Sequence, residues 1–331
     1  MLRLVQLRRG TARAVALVAE PDLRLLDGVE SVWALVLSAL DDGAPLRRAV
    51  VAHAAGHRLA YDDVYAGRSA WRLEVPIEHP DPARCLVSGT GLTHLGSARD
   101  RQAMHEKAEA ELTDSMRMFR AGLQGGRPAP GAVGTPPEWF YKGDGRVLRA
   151  HAEPLDVPWF AEDGGEEAEL AAIYVIDRQG RPRRVGMAAG NEFSDHIVER
   201  TNYLYLAASK LRTCAIGPEL VVDPPFELVN GRVAIERGGQ ALWSRAIATG
   251  EREMCHGLAN IEHHHFKYDA HRRPGDVHVH FLGANGLSFS DGVRLEDGDE
   301  MVVAFDGFGR PLRNPVRMDR RAPEIVSAAE V

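Results

Sequence analysis

The run Glu166-Glu167-Ala168-Glu169-Leu170-Ala171-Ala172-Ile173-Tyr174-Val175-Ile176 constrains this chain more than any other segment. Read as a strand, it turns residues two apart to the same face. Glu167 and Glu169 then converge, while Leu170, Ile173, Val175 and Ile176 require a buried sheet. Paired carboxylates beside an apolar strand are costly unless a positive charge lies between them, and a hard divalent cation is the usual solution. The other reading is a Glu-rich loop, Glu162 to Glu169, running into an ordinary strand. The run alone leaves both open.

With 331 residues, 44% of them apolar, the chain can bury a large core, and its length suggests one large domain and a smaller one. A net charge of -7, with Lys and Arg scattered among Asp and Glu, argues against a nucleic-acid partner. Met-Leu-Arg-Leu-Val-Gln lacks the apolar core of a signal peptide. The apolar run near Val32 to Leu40 is too short to span a bilayer. Cys85, Cys214 and Cys255 show no paired spacing and no zinc signature. The expectation is a reduced, soluble, cytoplasmic protein with no membrane association.

Residues 1–80 alternate short strands (Leu2–Leu7, Ala12–Leu17) with a helix over Ser31–Asp41, and Pro76–Pro82 reads as a linker into residues 81–331. Ser97 is a candidate cap for a long polar helix fading near Gly122, followed by a Gly/Pro-rich loop over 124–137. Strands at Glu169–Ile176 and Arg184–Ala189 flank a turn at 178–182. Ser194 can cap a helix with the stripe Ile197, Thr201, Leu204, Tyr205 and Ala208. Short strands follow, interrupted by a helix near Glu251–Phe266. Strand-rich sequence with segregated helices indicates an α+β fold.

Four further segments invite chemistry. Glu192, in Gly-Asn-Glu-Phe-Ser-Asp-His, is a third carboxylate that a strand end can aim into a pocket, or simply an acid leading a helix. Lys210 ends that helix, where a lysine is favoured electrostatically whether or not a pocket exists. Lys142 closes the aromatic run Trp-Phe-Tyr and either snorkels or faces an anion. His94 lies in a glycine-bearing loop that matches no phosphate-binding fingerprint. The cluster Glu262-His263-His264-His265 reads as a polar helix face, because consecutive helical residues diverge and cannot chelate one ion.

Taken in order, these segments resemble the fumarylacetoacetate hydrolase superfamily. The matching pieces are Pro137–Gly143, Glu167-x-Glu169-Leu170-Ala171, Gly190–Asp195, Lys210 with Gly217-Pro218, Gly275-Asp276-Val277, and the run from Leu295 to Val316. They cover roughly residues 85–318. The Gly-Asn-Glu-Phe-Ser-Asp-His form and Val279-His280-Phe281-Leu282-Gly283 look most like a branch associated with sugar-acid catabolism, which includes proposed 2-keto-3-deoxy-pentonate dehydratases. The resemblance implies a mixed β-roll-like catalytic domain (81–331) behind a small N-terminal α/β domain (1–80), and commonly a homodimer. It also implies a magnesium site at Glu167, Glu169 and Glu192, with Mn2+ or Ca2+ as possible ions, and Lys210 in the substrate pocket.

Two departures stand out. Most relatives carry Asp where this chain has Glu192, and the usual Thr-Gly-Thr-Pro after Gly-Asp-Val is replaced by His280-Phe281-Leu282-Gly283. The substrate carboxylate must then be held differently, with His280 and Ser288 as candidates. The expected substrate is a small 2-oxo acid chelated by the ion, which would stabilise the enolate formed at C3. Loss of a C4 hydroxyl would give dehydration of a 2-keto-3-deoxy sugar acid, with Lys210 moving the proton or stabilising the enolate and His94 serving C4. Hydrolysis of a 2,4-dioxo acid is the alternative, and an inert sugar-acid or partner-binding protein is a third reading.

Overall fold

The structure is a computed structural model that describes residues 1–54, 56–96 and 113–331. The apolar run forms the strand Ala168–Ile176, buried at every position. It pairs antiparallel with Pro182–Asn191 on one side and with Val277–Phe281 on the other. Alternation sends its side chains into two cores. Leu170, Ala172, Tyr174 and Ile176 join Phe266, Met301 and Leu312, whereas Ala171, Ile173 and Val175 join Val279, Ile216 and Val32.

A thirteen-stranded sheet runs through this strand, ending at Glu138–Asp144 beyond Cys85–Gly91 on one side and at Arg58–Ala60 on the other. Five strands form a second sheet, in the order Gln240–Thr249, Val229–Arg237, Glu300–Phe305, Leu312–Met318 and Leu155–Val157. It closes the first core with Met301, Val303 and Leu312. Mixed sheets with segregated helices make the α+β class correct. Strand Leu2–Arg9 pairs with Leu220–Val222, so a division at residue 80 separates stretches of chain and not sheets.

The helix Val32–Asp41 is capped by Ser31, whose side chain accepts from Ala34 N. The expected start of a helix at Ser97 lies outside the described residues; Asp114–Gly125 is helical, capped by Thr113, and runs past Gly122. The late helix begins at Leu258 instead of Glu251, because Glu251 folds back and its Oε1 accepts from Leu258 N at 2.9 Å.

Two expectations fail. Asp195, not Ser194, caps the helix His196–Thr201, accepting from Val198 N. That helix stops at Asn202, whose extended backbone and side-chain bond to Leu204 N break the stripe. A short helix, Leu206–Lys210, follows, and Leu204 and Tyr205 stand exposed. His265 is fully buried and His264 nearly so, and the His265 ring packs on His278 and His280. The polar-face expectation therefore holds for Glu262 and His263 and fails for His264 and His265, through which the helix lies on the sheet.

Candidate active site and metal centre

Hairpin register brings the three acids together. Ala168 lies opposite Asn191 and Glu169 opposite Gly190. Just past the ladder, Glu192 N donates to Glu167 O at 2.9 Å, and Asn191 Oδ1 accepts from Glu167 N. Ligand oxygens of Glu167, Glu169 and Glu192 then lie within 4.8 Å of one another, all buried. This is the one group of that kind among the described residues.

Two lysines enter from different elements. Lys142, on the edge strand Glu138–Asp144, lies 2.6 Å from Glu192 Oε1 and donates to Phe193 O at 2.7 Å. Lys210 donates to Glu167 Oε1 and Glu192 Oε2 at 2.6 Å each and to Ser194 Oγ at 2.7 Å. Its Nζ sits 4.9 Å above the Phe140 ring, a cation–π contact. Both lysines are buried, so neither snorkels.

These charges shape the carboxylates unevenly. Burial pushes Glu167 up, yet the Lys210 charge and the His196 hydrogen bond at 3.2 Å outweigh it, and its pKa falls well below the usual range. Burial raises Glu192 against the pull of Lys142 and Lys210. Glu169 is raised most plainly, first by burial and then by the charges of Glu167 and Glu192, with the Gly283 N–H at 2.7 Å as partial relief. Three carboxylates face two ammonium groups, and the uncompensated one is Glu169. A hard divalent cation with oxygen ligands satisfies that donor set, so the residues present fit Mg2+, Mn2+ or Ca2+.

Several contributors escaped the sequence reading. Glu199 Oε1 accepts from Ser209 Oγ at 2.8 Å and lies 3.2 Å from Lys210 Nζ. Arg212 donates to Asp195 Oδ2 at 3.1 Å and to Asp163 O at 2.7 Å, pinning the helix that carries Glu199. Glu138, buried, shares the inward face of its strand with Phe140 and Lys142. Strand alternation alone signals Glu138; Glu199 depends on where the helix breaks.

His94 is fully buried, with Thr93 Oγ1 2.8 Å from Nδ1 and Thr249 Oγ1 3.0 Å from Nε2. Thr93 gives its single hydroxyl proton to Leu282 O at 2.8 Å, so His94 Nδ1 carries the proton shared with Thr93. Burial lowers the ring's pKa to about 3. A ring held neutral is a poor proton donor to a leaving hydroxyl. His280 and Ser288 are likewise engaged: His280 bonds Ser88 and Thr90 through its two nitrogens, and Ser288 Oγ donates to Glu166.

No protein-family model matches the chain. Over 255 residues, 75% of this chain and 75% of the relative, the sequence is 27% identical to a probable 2-keto-3-deoxyxylonate dehydratase of Haloferax volcanii. Among solved structures, a 2-keto-3-deoxy-D-arabinonate dehydratase complexed with magnesium and 2,5-dioxopentanoate superposes with a TM-score of 0.71 at 19% identity, covering 96% of this chain and all of that one. The chain shares its fold with that dehydratase. A 5-carboxymethyl-2-hydroxymuconate delta-isomerase from Mycobacterium smegmatis follows at 0.57 and 17% identity, covering 96% of this chain and all of that one. These comparisons agree with the resemblance carried by motif order, to the sugar-acid branch of the fumarylacetoacetate hydrolase superfamily.

Proposed function

We propose that this chain is a divalent-metal-dependent lyase that removes water from a 2-keto-3-deoxy pentonate. The observation that carries the reading is the meeting of three buried carboxylates with Lys210, whose Nζ lies 2.6 Å from two of them. The names of the sequence relative and of the superposed dehydratase support the substrate class.

Glu167, Glu169 and Glu192 would hold Mg2+. Bound there, the ion supplies Lewis acidity towards the keto and carboxylate oxygens of a 2-oxo acid. Lys142 fixes Glu192 from the side away from Lys210 and keeps its oxygens oriented. Lys210, an ammonium beside Glu167 and Glu192, would release its proton to solvent once a bound cation compensates those carboxylates. Its amine would then remove the C3 proton, and loss of the C4 hydroxyl leaves a C3–C4 double bond conjugated with the keto group. Return of a proton to C3 and loss of one from C5 move the double bond to C4–C5 as an enol. Gain of a proton at C4 with loss of the enol's hydroxyl proton leaves the 5-aldehyde, the second product being water. A lysine positioned at C3 serves both proton movements. Glu138, on the same strand face as Phe140 and Lys142, is the proposed proton donor for the C4 hydroxyl in place of His94, which is held between Thr93 and Thr249.

The test is incubation of the purified protein and Mg2+ with 2-keto-3-deoxy pentonates of each configuration. Formation of 2,5-dioxopentanoate supports the proposal. Pyruvate release from 5-hydroxy-2,4-dioxopentanoate, with the pentonates untouched, would replace it with the hydrolase reading. Binding of either acid without turnover would leave a sugar-acid-binding protein.

A cytoplasmic homodimer completes the proposal. Support for the compartment comes from three buried free cysteines. No helix among the described residues is long and apolar enough to cross a membrane. Support for pairing comes from Trp139 and Tyr141, exposed on the edge strand Glu138–Asp144.

A further inference from the structure

The loop leaving strand Val277–Phe281 is fastened at both ends to the acidic run. At its start, Gly283 N donates to Glu169 Oε2 at 2.7 Å. At its end, Ser288 gives two bonds to one carboxylate: its N to Glu166 Oε1 at 2.7 Å and its Oγ to Glu166 Oε2 at 2.6 Å. Between them Asn285 Nδ2 donates to Ala248 O at 2.7 Å.

Glu166 is an expensive way to hold a serine. It is completely buried, as is Ser288, and burial raises its pKa. Among the described residues it forms no ion pair. Buried carboxylates are normally avoided unless strongly bonded, and the return here is a pair of bonds to a single residue, charge-assisted when Glu166 is ionised. Glu166 and Glu167 are neighbours, yet Glu167 serves Lys210 while Glu166 serves the loop. The start of the loop is equally constrained: Gly283 has φ +98, and a Cβ there would lie 1.9 Å from Thr93 Oγ1.

The loop also follows directly on 280–283, the segment that stands where the hydroxyl-bearing one is missing, and shares Gly283 with it. Neither side chain expected to replace it is at hand, because His280 is bonded to Ser88 and Thr90 and Ser288 to Glu166. The backbone of 283–288 lies beside the triad through Gly283 N, and its conformation depends on the two anchors.

We propose that Glu166 is a positioning residue that, through Ser288, holds loop 283–288 against the triad in the conformation that receives the carboxylate end of the 2-oxo acid. The substrate part of this inference rests on the dehydratase reading; the clamp itself does not.

The test compares E166A, S288A and E166Q with the parent protein by hydrogen exchange without substrate and by steady-state kinetics on the pentonate. In E166A and S288A, exchange across 283–288 should quicken on the order of tenfold while the central strand stays protected. KM should rise on the order of tenfold, with kcat within about threefold. E166Q, whose amide oxygen still accepts from Ser288 N, should stay within about threefold of the parent in both. Unchanged exchange at 283–288 in both E166A and S288A would overturn the clamp, as would a loss confined to kcat. S288A keeps the test open if E166A does not fold. If the parent dehydrates no pentonate, the functional reading fails and the exchange measurement still decides the clamp.

Discussion

Lys142 and Lys210 hold opposite oxygens of one carboxylate, that of Glu192, each at 2.6 Å. The two lysines come from an edge strand and from a helix end, far apart in the chain. Their shared target divides the work: Lys142 also bonds a backbone carbonyl and is fixed, whereas Lys210 reaches across to Glu167.

Replacing Lys210 with Met should lower kcat by roughly 10²- to 10⁴-fold, the range for loss of a proton-transfer group. The change also leaves Glu167, Glu192 and Glu199 without their lysine, so kcat is read at a temperature where circular dichroism shows the variant folded. A kcat within a few-fold of the parent would remove Lys210 from the chemistry.

Replacing Lys142 with Met breaks a fully buried ion pair, a change that costs about 3–5 kcal/mol. Urea unfolding with and without Mg2+ separates its two effects. Added Mg2+ should restore more stability to this variant than to the parent, since it returns positive charge to Glu192. Equal restoration in both proteins would show that Lys142 does not share Glu192 with a metal.

Much of this arrangement is legible before any coordinates. Alternation in one strand pairs Glu167 with Glu169, and the order of motifs along the chain adds Glu192 and Lys210. The partners of Lys210 are less accessible, because Glu199 and Ser209 meet only where the helix breaks at Asn202, and an apolar stripe through Leu204 and Tyr205 suggests a continuous helix. The His263–His265 run misleads for a similar reason: which helix face is inward depends on the sheet beneath, and His265 finds His278 and Trp139 there. Glu166 reads as one more acid in a loop until Ser288, 122 residues away, is seen against it.

Buried neutral histidines should make the protein acid-sensitive. His94, His278 and His280 each fall from 6.5 to about 3, chiefly through burial. The unfolded chain therefore binds more protons between those limits, so their contribution is full above pH 6.5 and is lost as pH falls towards 3. Each such group adds a slope of about 1.4 kcal/mol per pH unit within the window. H278Q should flatten the pH dependence of unfolding free energy by up to that slope. An unchanged slope between pH 4 and 6 would place the acid sensitivity elsewhere.

Pairing of two copies through the edge strand Glu138–Asp144 predicts a mass near twice 36.3 kDa in light scattering. Charging both exposed aromatics with W139E/Y141E should shift the protein to monomer. A monomeric parent, or a dimer indifferent to those changes, removes that surface from the account.

The most direct test of the central claim is E169Q, followed by calorimetric titration with Mg2+ and assay on 2-keto-3-deoxy pentonates. Glu169 is the acid without a lysine partner, so its amide should leave the folded protein intact while abolishing both Mg2+ binding and turnover. Undiminished Mg2+-dependent turnover in E169Q would contradict a metal centre built from Glu167, Glu169 and Glu192.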